Sequence, residues 1–258
     1  MSFSTIAILL GAGLMVQIGD ANNIEPGKQL PQSVTVRAQD GDGSARDVSV
    51  RYMLFTPQDY QADGKPWPLL LFLHGLGESS DDDLTRVKIH GPAKFVDSRP
   101  DFPFVVVTPQ CPPPGEDKKL IRTAWKPDQL IQLLDHVTER LNIDTTRVYV
   151  TGLSMGGYGT WRLVAAHPER FAAAVPICGG GEPVKMAPTL RRVPIWAFHG
   201  ARDTTVPLIS SQEMVDAVRR AGGDVRLTVY PDVGHNSWVK AYDNQEVYDW
   251  LLSHRGPL

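Results

Sequence analysis

Along the chain, short continuous apolar runs alternate with longer stretches whose apolar residues recur every three to four positions. Leu69–Leu73 is one such run, bounded by Pro68 and Gly75, and Phe104–Val107 is another, closed by Pro109. Val148–Val150, Ala172–Ile177, Ile195–Phe198 and Val225–Tyr230 complete the set. A strand apolar on both faces is buried on both faces, as in a parallel sheet covered by helices. Two earlier strands, Val34–Ala38 and Val48–Phe55, flank Asp40-Gly41-Asp42-Gly43 and predict an antiparallel hairpin.

The helical stretches fill the gaps. Asp128–Leu141 carries apolar residues at 130, 131, 134, 137 and 141, one face of a helix. Met155–His167 follows a strand directly and stops before Pro168, which disfavours helical geometry in its predecessor. Leu208–Ala221 runs into Gly222-Gly223, a helix-ending signal, and Asn244–Ser253 is the last periodic segment. An antiparallel start followed by alternating strands and helices predicts an α/β fold: one mostly parallel sheet of eight strands with helices on both faces. Only the 16 residues 179–194 separate the sixth and seventh strands, too few for a cap domain.

Composition narrows the function. The 258 residues suffice for one large domain, expected over 34–258, and the net charge of -3 comes without Lys/Arg clustering. No nucleic-acid partner and no integral membrane association are expected. Ile6–Val16 is apolar but too short to span a bilayer, and a polar stretch, Gly19–Gln32, follows. Residues 1–33 therefore read as a secretory leader or a packed N-terminal extension. The leader implies secretion or a periplasmic location, the extension a cytoplasmic one. Cys111 and Cys178 fall on strands separated by two others, about 14 Å apart at strand spacing. That exceeds the roughly 7 Å limit of a disulfide, so both are expected as free thiols.

The chemistry centres on Gly152-Leu153-Ser154-Met155-Gly156, a G-x-S-x-G pentapeptide directly after one strand and before a helix. That context marks a nucleophile elbow, a sharp turn presenting the serine. A serine hydroxyl needs a base to take its proton, and His235, in the loop after the last strand, is the candidate. Asp203, after the preceding strand, is the acid expected to orient it; Glu182 and Asp232 are its competitors. The order Ser154, Asp203, His235 is that of the α/β hydrolases, and all three fall at C-terminal strand ends. The backbone N–H groups of Met155 and Leu76 are the expected oxyanion donors. His74 reads as a brace for its loop. Trp125 and Trp238 are candidates for the pocket wall, or else pack beneath it. His90, His136, His167 and His254 lack metal-ligand spacing and read as structural or exposed, so no metal is expected. Asp81-Asp82-Asp83 reads as a solvated helix start.

His74-Gly75-Leu76-Gly77, the pentapeptide, His199-Gly200 with Asp203, and Gly234-His235 resemble one branch of the α/β-hydrolase superfamily. That branch comprises small bacterial carboxylesterases, phospholipase/carboxylesterases and feruloyl-esterase-like proteins related to dienelactone hydrolase. Lys88-Ile89-His90-Gly91-Pro92, Thr108–Pro112 and Pro176–Gly181 extend the resemblance, which runs from about Val48 to Leu252. It implies the α/β-hydrolase fold and cofactor-free hydrolysis of a small-molecule carboxylic ester. Dienelactone hydrolases proper use a cysteine nucleophile where this chain has Ser154, which counts against dienelactone as substrate. A short-chain carboxylesterase is the leading expectation. Feruloyl or acetyl-xylan ester hydrolysis, a serine peptidase and a non-catalytic binding module are the alternatives.

Overall fold

In the computed structural model, which describes residues 24–39, 44–114 and 121–256, the apolar runs pair into one eight-stranded sheet. The elements in chain order are β1 (Gln29–Gln39), β2 (Ala45–Phe55), β3 (Trp67–Leu73), α1 (Pro92–Phe95), β4 (Val105–Pro109), α2 (Pro127–Arg140), β5 (Ile143–Leu153), α3 (Met155–Ala166), β6 (Ala173–Ile177), α4 (Pro183–Leu190), β7 (Ile195–Gly200), α5 (Ile209–Arg220), β8 (Val225–Tyr230), α6 (Trp238–Asp243) and α7 (Gln245–Leu252). The spatial order is β1-β2-β4-β3-β5-β6-β7-β8. β2 runs antiparallel to β1 and β4, and every later pairing is parallel. This is the fold the sequence predicts.

Alternation along each strand divides the core in two. Leu69, Leu71 and Leu73 pack with Val105, Val107 and Val150 on the face covered by α2 and α3. Leu70 and Phe72 pack with Val106 and Tyr149 on the other face, beneath Ala93 of α1 and Val247 and Leu251 of α7. Leu69 to Leu73 have no exposed surface at all. Each such side chain contributes about 1.5–3 kcal/mol by leaving water, so the central strands form a rigid platform for the loops at their ends.

Three local differences from the sequence reading have physical causes. β1 begins at Gln29, five residues before Val34, because polar residues there find partners: Gln29 N–H donates to Asp97 (2.8 Å) and its side-chain amide to the Ala93 carbonyl (2.7 Å). β5 begins at Ile143, not Val148, and its polar start is tied to the chain end. Asp144 accepts hydrogen bonds from Arg147 (2.7 Å) and Arg255 (3.0 Å). Between β6 and β7 lies α4, eight residues long and started by Pro183. It is the whole of that crossover's regular structure, so no cap stands over the sheet.

Asp83 caps a 3₁₀ turn, Leu84–Lys88, by accepting from Thr85 N–H (2.9 Å), which agrees with the solvated helix start. At the sheet edge, the Gln132 side chain accepts from Arg37 N–H (2.7 Å) and donates to Arg37 C=O (2.9 Å). Cys111 and Cys178 are both buried and unbridged. The leader reading falls on residues 1–23, and the hairpin turn on 40–43; both lie outside the described residues. Among the described residues, no helix is long and apolar enough to cross a membrane.

Candidate active site

The site is built where β5 meets α3. Ser154 adopts φ 54°, ψ -114°, a left-handed conformation costly for any residue with a Cβ. The turn is tight enough that a Cβ on Gly156 would lie 1.9 Å from the Leu73 carbonyl oxygen, and one on Gly152 would lie 2.4 Å from the Gly156 oxygen. Ser154 N–H donates to the Ile177 carbonyl of the next strand (2.9 Å), fixing the strained residue from outside the turn. Ser154 thus stands just before the N-terminus of α3, where unpaired amides and the helix dipole favour negative charge.

The loops after β7 and β8 bring the other two residues to it. His235 Nε2 lies 2.9 Å from Ser154 Oγ, and its Nδ1 lies 2.7 Å from Asp203 Oδ2. A carboxylate only accepts, so Nδ1 carries the proton and Nε2 receives the Ser154 hydroxyl. Asp203 Oδ1 accepts the backbone N–H groups of Thr205 and Val206, each at 2.9 Å. The Asp203 side chain is fully buried, whereas that of its competitor Asp232 is 77% exposed and paired with Arg202 at 2.7 Å. Glu182 is exposed and 3.6 Å from Lys185.

Leu76 and Met155 line the same cavity as Ser154, His235 and Trp238, a space of about 550 Å³. Leu76 opens a 3₁₀ turn and Met155 opens α3, so both first amides lack a partner within their helices. His74 is a brace, as expected. Its Nδ1–H donates to the Gly75 carbonyl (2.7 Å), and Nε2 accepts the Cys111 N–H (3.0 Å). Burial holds it in the neutral form, its pKa lowered to about 4, with the charge of Arg86 acting in the same direction.

The two tryptophans part company. Trp238 stands edge-on to His235, with ring centroids 5.2 Å apart, on the pocket wall. Trp125 is not on that wall: it is 4% exposed, its ring 5.0 Å from that of His74 and its indole N–H 3.3 Å from the His74 carbonyl. It was a wall candidate because its loop reaches the site, but α3 comes so close at Gly159 that the ring is packed under the loop.

Some pocket residues had no sequence signal. Glu78, His90, Arg122 and Tyr158 line the cavity, so His90 is neither remote nor merely structural. Glu78 Oε2 accepts Gly75 N–H (2.8 Å), and its other oxygen is 3.6 Å from His90. Cys178, immediately after β6, has φ 40°. Its sulfur lies within 4.8 Å of Asp203 and His235 ligand atoms, and burial pushes the thiol pKa up to about 12.

Strand order and elbow together define the α/β-hydrolase class. Within that class, the model described as the dienelactone hydrolase family matches residues 116–249, just over half of the chain, and the chain belongs to that family. The chain is 31% identical over 214 residues to a bifunctional acetylxylan esterase/xylanase of Neocallimastix patriciarum. That match takes in 83% of this chain and 29% of the relative. A Salmonella typhimurium protein provisionally named carboxymethylenebutenolidase is 36% identical over 120 residues, 42% of this chain and 44% of its own. The chain thus spans less than half the length of either relative. Among solved structures, a thermostable esterase superposes with a TM-score of 0.67 at 34% identity, covering 86% of this chain and 63% of the other.

Proposed function

We propose that the protein is a serine carboxylesterase acting through an acyl-enzyme. The family and the esterase relatives support ester hydrolysis as the reaction class. The observation that carries the serine mechanism is the unbroken line from Ser154 Oγ through His235 to Asp203, at 2.9 and 2.7 Å. Ser154 Oγ attacks the ester carbonyl as His235 Nε2 takes its proton. The tetrahedral oxyanion is held by the Leu76 and Met155 amides. His235 then protonates the leaving alcohol, and a water molecule, deprotonated by His235, attacks the acyl-enzyme to release the acid. Asp203 keeps the proton on Nδ1 and stabilises the imidazolium.

Ser154→Ala is the direct test. A folded variant, checked by circular dichroism, is expected to lose p-nitrophenyl acetate hydrolysis by on the order of 10⁵-fold or more. Near-wild-type turnover would refute the assignment.

Acyl selectivity follows from the open pocket. With only α4 between β6 and β7, a long acyl chain extends into water, and the roughly 0.8 kcal/mol per buried methylene is not gained. Acetyl to butyryl esters are expected to show the highest kcat/KM; rates rising steadily to decanoyl would contradict this. A second reading, a polysaccharide acetyl ester as the natural substrate, is favoured by the acetylxylan esterase/xylanase relative, which matches most of this chain. It predicts release of acetate from acetyl-xylan at rates comparable to those on aryl acetates.

A further inference from the structure

A second histidine reaches Asp203 from within the sheet. His199 is the penultimate residue of β7 and has no exposed surface. Its Nε2 is 2.9 Å from the Val206 carbonyl and 3.3 Å from Asp203 Oδ2. Both neighbours are acceptors only, so Nε2 must carry a proton. Its Nδ1 is 2.8 Å from Ser211 Oγ, which also lies 2.9 Å from the Gly179 carbonyl. Burial, the largest influence on this ring, lowers its pKa and favours the neutral form. The Ser211 hydroxyl therefore gives its single proton to Nδ1. The ring is fixed at both nitrogens, by α5 through Ser211 and by the Asp203–Val206 loop.

We propose that His199 is a positioning residue for the relay, a permanent neutral donor that orients the Asp203 carboxylate and takes up part of its negative charge. This rests on the serine-esterase reading above. Asp203 then receives four N–H groups: Thr205 and Val206 at Oδ1, His235 and His199 at Oδ2. Two consequences follow. The carboxylate plane is held so that Oδ2 faces His235 Nδ1. An Oδ2 already accepting from His199 attracts the His235 proton less strongly, so imidazolium is less favoured and His235 remains a free base at lower pH. The ionisable groups gathered here are His199 and Asp203 from β7 and its loop, His235 from the loop after β8, and the Cys178 thiol after β6. Burial raises the Cys178 pKa to about 12, so the thiol does not titrate with the others. Arg202, the nearest cation in sequence, faces outward and pairs with Asp232.

The test compares His199→Phe with His199→Gln, whose amide N–H replaces the Nε2 donor. In the phenylalanine variant the acidic limb of kcat/KM for a neutral ester is expected to move up by about half to one pH unit, with kcat reduced about ten-fold or more. The glutamine variant is expected to restore the limb towards wild type. A merely structural role would lower activity without moving the limb, and a folded phenylalanine variant with an unmoved limb overturns the proposal. So does an equal limb shift in both variants. A measurement on the intact protein stands if His199→Phe fails to fold. With ¹⁵N-histidine, His199 should hold the neutral Nε2–H tautomer from pH 5 to 9, and its resonance should shift in Asp203→Asn. An Nδ1–H tautomer, or titration of His199 within that range, refutes the role. Failure of the serine-esterase reading is seen separately, as activity surviving in Ser154→Ala.

Discussion

The loops around the pocket divide into two halves held together differently. On one side, the loops after β7 and β8 carry Asp203 and His235, joined by side-chain hydrogen bonds in which a carboxylate is the common acceptor. On the other, the turns after β3 and β5 present backbone amides, held by Gly156 packed on Leu73 and by a neutral His74 bridging Gly75 and Cys111. The first half works by moving a proton, so its performance depends on pH. The second works by fixed dipoles that do not titrate. The difference teaches where each kind of damage should appear: in the pH–rate profile on one side, in a uniform loss of rate on the other.

The sharpest break in that comparison is Asp203→Asn. The amide leaves the shape intact but can donate to Nδ1, favouring the wrong tautomer of His235. A loss of up to about 10⁴-fold in kcat at neutral pH is expected. If Asp232→Asn is the damaging change instead, the relay has been assigned to the wrong acid.

On the amide side, Leu76→Pro removes one donor with little else. Leu76 is the first residue of its 3₁₀ turn, where proline fits, and Gly75 is extended at φ -84°, ψ 180°, as a residue before proline prefers. The expected loss is about 10²–10³-fold in kcat, constant from pH 6 to 9. A loss that varies with pH would show that the two halves are coupled.

His74 gives the non-titrating half a signature in stability. Its folded pKa, about 4, lies below the ordinary 6.5. The unfolded chain therefore takes up the proton first as pH falls. The contribution is complete above pH 6.5 and is lost between 6.5 and 4, by about 1.4 kcal/mol per pH unit. Urea unfolding at pH 7 and 4.5 should show wild type losing about 2–3 kcal/mol more than His74→Gln across that interval. Equal losses would mean that His74 is protonated in the folded state.

The smallest effect concerns the thiols, one behind each half. Burial pushes both Cys111 and Cys178 up to about 12. Native protein should resist iodoacetamide at pH 8, while denatured protein should take up two labels without reductant. Rapid native labelling would show that one of these loops opens.

How legible this was depended on the distance over which each signal acts. Leu69–Leu73 declares itself because a strand buried on both faces must be apolar throughout. Ser154 declares itself because the elbow admits no side chains at 152 and 156. Gln29 and Gln32 conceal the start of β1, since buried polar residues are paired by groups far away in sequence, such as Asp97 and the Ala93 carbonyl. Trp125 and Trp238 look alike in sequence, and only the packing of α3 against one loop separates them. Glu78 and His90 reach the pocket through the path of the β3–α1 connection. His199 carries the same difficulty: a histidine ending a strand reads as core until its two acceptors are in place.

The clasp of Gln132 on Arg37 has a consequence for how copies of this chain behave in a crowd. β1 is an outer strand, and its outward amide and carbonyl at Arg37 are the groups to which another strand would attach. Gln132 occupies both, standing in for a ninth strand that would come from a different molecule. The protection is local and costs one side chain of α2. Replacing it with leucine would leave activity on the far side of the sheet untouched while opening a template at the edge, visible as concentration-dependent aggregation on gentle warming. A residue with no part in chemistry thus keeps the chemistry in solution.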